Sequence, residues 1–425
     1  MNTIMRFTPV CAFAIWLAVT ALGAAIPANE YLVFSLKTCD TVAAELPEIT
    51  RLAEIVAQRH LRGGTLGCLP NGQTLGPELQ GRSGGMICFG AARATKTERT
   101  DAEKTNAVIL AGWDRQPGER DLQLIRDARA RGAFLIGFGP RKMAALAETA
   151  AQCDAWFDTG FGDEDLVVTL EDGRRVGHGN VLVNTLHAWT FTAELVAALT
   201  REGKMPTMYK SVFCPDGREW NAQYVGKKLF HDDLRIVPIA RGALGQEYLS
   251  RIRTYLQRFQ DGQVAAVNQT ARLIAEELKQ GQPTVVAMLG HMPTYYVGKA
   301  EDARWARPID FYGGIPGREK AYLEKTPDGA LVLRLGYSSQ LQAETEIFAR
   351  KRQREMLITA ADTPRTDCQM PTKLVTRIEM GWEFGDACVT LPGYPIKILP
   401  PSGVMQVVAY ECVNVEVLNR TGKAP

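Results

Sequence analysis

Apolar runs alternate along this chain with polar turns and amphipathic stretches, and the alternation is written twice in the same order. Near the front, Thr65–Pro70 reads as a buried strand, followed by the loop Asn71-Gly72-Gln73-Thr74 and a short helix ending at Gly84-Gly85. Downstream, Thr284–Leu289 reads as a buried strand, followed by Gly290-His291-Met292-Pro293-Thr294, a short helix and Gly313-Gly314. Each unit continues with a second apolar strand (Ala107–Ala111, later Ala330–Leu335) and an amphipathic helix (Glu119–Arg131, later Leu341–Arg352). A third strand (Ala133–Phe138, later Met356–Thr359), an Asp-led apolar stretch (Asp154–Phe157, later Asp386–Leu391) and a long closing helix complete each copy. Short continuous apolar runs alternating with helices of 10–15 residues predict parallel sheets covered by helices on both faces. The expected fold is therefore α/β: two tandem three-layer αβα sandwich domains with parallel sheets.

The flanking segments read less regularly. Tyr31–Leu36 is expected to be extended, and a helix from about Thr41 to Arg62 carries apolar residues at helical spacing until Gly63-Gly64 stops it. Asn180–Glu202 has too many apolar positions for one stripe and predicts a largely buried helix. Lys204–Ala243 contains Tyr209–Phe213 as a candidate strand and the turn Pro215-Asp216-Gly217, and reads as a loop extension between the halves. Gln246–Gln260 and Val264–Leu278 then predict two amphipathic helices. The domain division that results is 26–243 and 244–425.

Composition changes this picture little. The chain has 425 residues, enough for two ordinary cores, and a net charge of +2 offers no global field for nucleic acid. Phe7–Ala25 is almost wholly apolar and ends in the small residues Gly23-Ala24-Ala25, the layout of a secretory signal peptide. Export to a periplasmic or extracellular space is expected, with residues 1–25 removed and no membrane association afterwards; the alternative is anchoring by the uncleaved apolar segment. Of nine cysteines none stands in a C-x-x-C spacing, so the expectation is mostly buried thiols with at most one disulfide, and neither metal nor other cofactor.

Segments in both halves resemble the SIS (sugar isomerase) superfamily of phosphosugar-binding domains over roughly residues 41–420. In the first half, Pro70-Asn71-Gly72-Gln73-Thr74 followed by Glu78, Arg82, Ser83, Gly84 and Gly85 is similar to the family's strand-end turn and helix end. The likeness continues through Gly162-Asp163, Val176-Gly177-His178, Lys210-Ser211 and Asp216-Gly217 with Asn221. In the second half, Leu289–Tyr296 is similar to a G-T-S-Y turn, Gly336-Tyr337-Ser338-Ser339 falls at the S-x-S-G loop, and Pro400–Gln406, with Ser402, resembles the lead into the closing helix. Where the family has a hydroxyl-rich phosphate loop, the first half has Gly112-Trp113-Asp114-Arg115-Gln116-Pro117-Gly118. The resemblance implies a small-molecule sugar or phosphosugar as partner and sites shared between two units. A tandem chain can form such sites internally, as a monomer with a pseudo-twofold axis or as a dimer of such chains.

Ligands of open α/β sheets collect where strands end and helix N-termini begin. That rule gathers Asn71, Gln73, Thr74, Asp114 and Arg115 around one expected pocket, and His291, Thr294, Ser338 and Ser339 around another; the family likeness adds Arg82 and Ser402. Aldose–ketose isomerisation needs a base between C1 and C2 and an acid to open the ring. Glu78 is the first candidate base, unless it serves only as a charge at a helix start. His178, between two glycines, is a candidate for ring opening or hydroxyl binding, with helix capping the alternative. His291, in a strand-end turn, is placed for acid–base work or for turn packing. His187 falls inside a buried helix and reads as structural, and Glu411 and Glu416 read as surface charges. Three functions remain open: sugar isomerisation or related acid–base processing, non-catalytic sugar binding, and an etherase- or lyase-type reaction with Glu78 as base.

Overall fold

The chain forms two parallel five-stranded sheets, each flanked by helices. The computed structural model describes residues 26–69, 73–91, 106–311, 316–336, 342–361 and 373–422. The first sheet holds β1 (Leu66–Cys68), β2 (Phe89–Ala91), β3 (Val108–Gly112), β4 (Phe134–Gly139) and β5 (Ala155–Asp158) in the order β2-β1-β3-β4-β5. A hairpin of β6 (Leu166–Thr169) and β7 (Arg175–His178) follows, which the sequence pattern did not reveal. The second sheet holds β8 (Thr284–Met288), β9 (Ala306–Asp310), β10 (Leu331–Leu335), β11 (Arg354–Thr359) and β12 (Lys373–Glu379) in the order β12-β11-β10-β8-β9. Read from the opposite edge this is the same winding, with the chain reversing direction between β1 and β3 and again between β8 and β10.

The repeat extends to side chains. Each sheet is closed by a long helix, Asn180–Arg201 in the first half and Ser402–Thr421 in the second. The fifth residue of each carries an amide that binds the carbonyl just beyond the central strand: Asn184 Nδ2 to Trp113 O (2.9 Å), and Gln406 Nε2 to Gly336 O (3.2 Å). The first backbone N–H of each is also held by an aspartate, Asp165 Oδ2 at 3.0 Å from Asn180 N and Asp386 Oδ1 at 3.3 Å from Ser402 N. A carboxylate there offsets the positive end of the helix dipole.

These closing helices form the middle of the molecule. Every residue from Asn180 to Thr200 and from Ser402 to Leu418 is buried. The helix Pro27–Ala44 lies against Ser402–Thr421 and against Ala243–Gly262, while Asn180–Arg201 packs on Leu46–Leu61 and Ala243–Gly262. Polar side chains in so apolar a place find internal partners. Glu416 Oε1 accepts from Ala28 N (3.1 Å), Asn414 joins Glu411 to the Trp305 indole, and Tyr410 donates to Asp302 (2.6 Å). Glu411 and Glu416 are thus core groups rather than surface charges.

Other expectations change for local reasons. Tyr31–Leu36 is helical: Pro27 opens the helix, and Tyr31, Leu32, Ser35, Cys39 and Val42 share its buried side. The helix expected over Thr41–Arg62 divides at Glu45, with Pro47 early in its second part. Tyr209–Phe213 is not a strand; neighbouring Met208 makes a single bridge to Met86, and the helix Gly217–Tyr224 begins at the expected turn. The Asp-led stretch Asp386–Leu391 stands outside the second sheet, where β12 lies beside β11. The seven described cysteines are all free thiols. Among the described residues no helix is long and apolar enough to cross a membrane.

Close approach explains one glycine. A Cβ on Gly112 would lie 2.4 Å from Leu75 Cβ, so the last residue of β3 must be glycine for the helix Leu75–Leu79 to sit over the strand end. Gly112→Ala is expected to cost about 1–3 kcal/mol by overpacking. Urea unfolding of the variant measures it, and an unchanged midpoint would refute the close-contact account.

Candidate functional site

A cleft of about 250 Å³ opens at the C-terminal edge of the first sheet. Asp114, Arg115 and Gln116 enter it from the loop after β3, and Met143 from the segment after β4. Asp163, Asp165, His178 and Asn180 come from the segments around the hairpin, and Tyr296, Lys299 and Ala300 from the second half. A larger cavity of about 370 Å³ lies elsewhere, beside Pro27, Asn268 and Arg420. The first is the functional candidate, because it sits at the reversal in strand order where α/β proteins bind ligands.

The loop after β3 is fixed by Gln73, which is nearly fully buried. Its Oε1 accepts the backbone N–H groups of Asp114 (3.0 Å) and Arg115 (3.3 Å), and its Nε2 donates to the carbonyls of Arg115 and Gln116. Asn180 Nδ2 reaches Asp114 O at 3.4 Å. Thr74, also buried, hydrogen-bonds the Asp114 carboxyl. Asp114 Oδ1 is buried without a hydrogen-bond partner among the described residues, and burial raises its pKa above the usual carboxylate range although Arg115 opposes this. Gln73 and Thr74 therefore shape the cleft from beneath, whereas Asp114 and Arg115 line it.

His178 joins the two halves. Its Nδ1 donates to Asp165 Oδ1 and its Nε2 to Glu301 Oε2, both at 2.7 Å. Burial disfavours its charge, but the two carboxylates outweigh burial and hold its pKa up at about 11. Burial would raise Glu301 too, yet the His178 bond leaves its carboxyl below the usual range. The Tyr31 hydroxyl donates to His178 O (2.6 Å), which anchors the strand end. An imidazolium with both N–H groups committed is a fixed cation and has no free nitrogen for proton exchange.

Glu78 and Arg82 lie in a second cluster between the halves and do not line the cleft. Both are buried, with Arg82 Nε 3.4 Å from Glu78 Oε1 and Trp189 Nε1–H donating to the same oxygen at 3.1 Å. Arg82 Nη2 also donates to Ser402 Oγ and lies 3.8 Å from Asp386 Oδ2. Burial pushes Glu78 up to about 7 against the pull of Arg82, and burial raises Asp386 as well. Asp386 adopts a left-handed backbone (φ 49°), a conformation Asp tolerates better than most residues. The two clusters mirror each other: an aspartate at a closing helix start, completed by a charged group from the opposite half.

The remaining expected residues separate from both clusters. Thr294 turns its hydroxyl back to Gly290 O at 3.2 Å. The backbone of His291 opens the helix His291–Tyr296. Asn71, Ser338 and Ser339 lie outside the described residues. His187 is buried in its helix, 3.2 Å from Glu45. Asp165, Glu301, Asp386 and Lys299 escaped sequence reasoning. Asp386 stood at the head of a noted segment, and Asp165 lies 13 residues before His178; Glu301 and Lys299 carry no local signal. Among the described residues no group of His, Cys, Asp and Glu is arranged to hold a metal.

No family model and no curated protein matches the chain. Solved structures similar to it include a protein of Salmonella typhimurium LT2 provisionally named a sugar-binding protein, at 10% identity and TM-score 0.49, covering 93% of this chain and 99% of that one. Another is a provisionally named phosphosugar isomerase of Clostridium difficile 630, at 9% identity and TM-score 0.47, covering 94% and 95%. A third, likewise provisionally a phosphosugar isomerase, from Silicibacter pomeroyi DSS-3, is 12% identical with a TM-score of 0.41 over 92% and 98%.

Proposed function

We propose that this protein binds a sugar or phosphosugar in the cleft beside His178 and moves protons on it by acid–base chemistry, isomerisation being the leading reaction. The observation that carries the reading is the lining itself. Carboxylates of Asp114, Asp163 and Asp165 and the cations of Arg115, His178 and Lys299 line a space of sugar size at a strand-order reversal. Such groups accept and donate the hydrogen bonds a polyhydroxyl ring requires. Asp114 suits the base: it lines the cleft, one oxygen is without a hydrogen-bond partner among the described residues, and burial raises its pKa. His178 then serves as a fixed charge that polarises the site.

Thermal-shift screening against free and phosphorylated sugars tests binding, and solvent deuterium entering C1 or C2 of a bound sugar tests isomerisation. Asp114→Asn is expected to lower turnover by roughly 10²-fold or more while the protein stays folded. Retained turnover in that variant removes Asp114 as the base. The commitment of both His178 nitrogens favours a second reading, a sugar-binding protein without catalysis. Binding without deuterium exchange would select it.

A further inference from the structure

We infer that the ligand of this cleft is an uncharged polyhydroxyl compound, a free sugar, and that phosphate esters are excluded; this rests on the sugar-site reading above. An α/β protein has two natural places for a phosphate at a strand-order reversal: the backbone amides after the central strand, and the N-terminus of the following helix. Both are partly taken here by the protein's own groups. After β3, Trp113 N–H goes to Phe138 O (2.8 Å), and the N–H groups of Asp114 and Arg115 go to Gln73 Oε1. At the long helix, Gly179 N–H goes to Asp165 O (2.9 Å) and Asn180 N–H to Asp165 Oδ2 (3.0 Å). A phosphate would therefore lose the amides nearest the strand end and the helix cap and depend more on side chains.

Those side chains do not favour it. The charge of His178 is shared between Asp165 and Glu301, which leaves Arg115 and Lys299 against Asp114 and Asp163. Arg115 is further drawn toward Asp114, whose pKa it lowers. A dianion would be placed beside the carboxylates of Asp114 and Asp163, a repulsion that selects against it, whereas a neutral ring would meet them as hydrogen-bond acceptors.

Calorimetry of the full chain with glucose, fructose and N-acetylglucosamine, each beside its 6-phosphate, and with inorganic phosphate alone, tests the inference. Free sugars are expected to bind at least about tenfold tighter than their esters. Asp114→Asn should shift affinity in opposite directions, weakening the free sugar and strengthening the ester. Asp163→Asn, at an exposed position where folding is not at risk, should strengthen the ester alone. An ester that binds tighter than its parent sugar, or competition by inorganic phosphate, overturns the inference and leaves the sugar site standing. If sugars of neither kind bind, the site reading and the inference fall together. Variants that weaken both ligands equally would overturn exclusion by charge.

Discussion

Replacing His178 with alanine should cost the folded protein about 2–4 kcal/mol, less than removal of one partner from a fully buried ion pair because solvent screens the half-exposed Glu301. The imidazolium lies between Asp165 and Glu301 and binds both at 2.7 Å. Without it, a nearly buried Asp165 and a half-buried Glu301 repel each other across the join between the halves. Adding Glu301→Gln to the variant should recover about 1–2 kcal/mol, because one of the two facing charges is gone. The pH dependence has a definite sign. The folded imidazole keeps its proton to about 11, while an unfolded one releases it near ~6.5. The stabilisation is thus complete below about 6.5 and is lost as pH rises toward 11. Urea titrations from pH 6 to pH 10 should show wild type and variant converging with pH. A loss below about 1 kcal/mol at pH 6 would mean that the triad does not hold the halves together.

The same triad shows where sequence reading stops. Strands buried on both faces are continuous apolar runs, so β3, β4, β8, β10 and β11 were legible, and their order twice over indicated two parallel sheets. Gln73, Thr74, Asp114 and Arg115 were legible as strand-end residues because the fold class alone places loops there. What joins His178 to Glu301 spans 123 residues and depends on how the halves meet, which no local pattern encodes. The buried polar residues of Ser402–Thr421 misled for the converse reason. Glu411 and Glu416 read as surface charges because helical glutamates usually are, and tertiary partners such as Asn414 and Ala28 N make their burial tolerable. Helix periodicity failed at Tyr31–Leu36, where six apolar or small residues in a row suit a strand as well as a buried helix.

Arg82→Met should be comparably costly, about 3–5 kcal/mol near pH 8, since it leaves Glu78 and Asp386 buried without the guanidinium between them. Here acid should relieve the defect. Burial already holds Glu78 at about 7 in the presence of Arg82, against an unfolded value of ~4.3. The contribution of a raised carboxyl is complete below about 4.3 and is lost as pH climbs through 7, so wild-type stability should decline between pH 5 and pH 7, by on the order of 2–3 kcal/mol from this group. Removing Arg82 withdraws the charge that lowers both carboxyls, and their pKa values move higher. The variant should therefore lie close to wild type at pH 5 and far below it at pH 8. Glu78→Gln should flatten the wild-type slope, and in the Arg82→Met background it should restore about 1–2 kcal/mol at pH 8. Glu411 is buried and raised to about 7 as well, opposed by His178, so Glu411→Gln separates its share. A slope between pH 5 and pH 7 that survives Glu78→Gln and vanishes with Glu411→Gln would move the pH response from the Arg82 cluster to the His178 side of the interface.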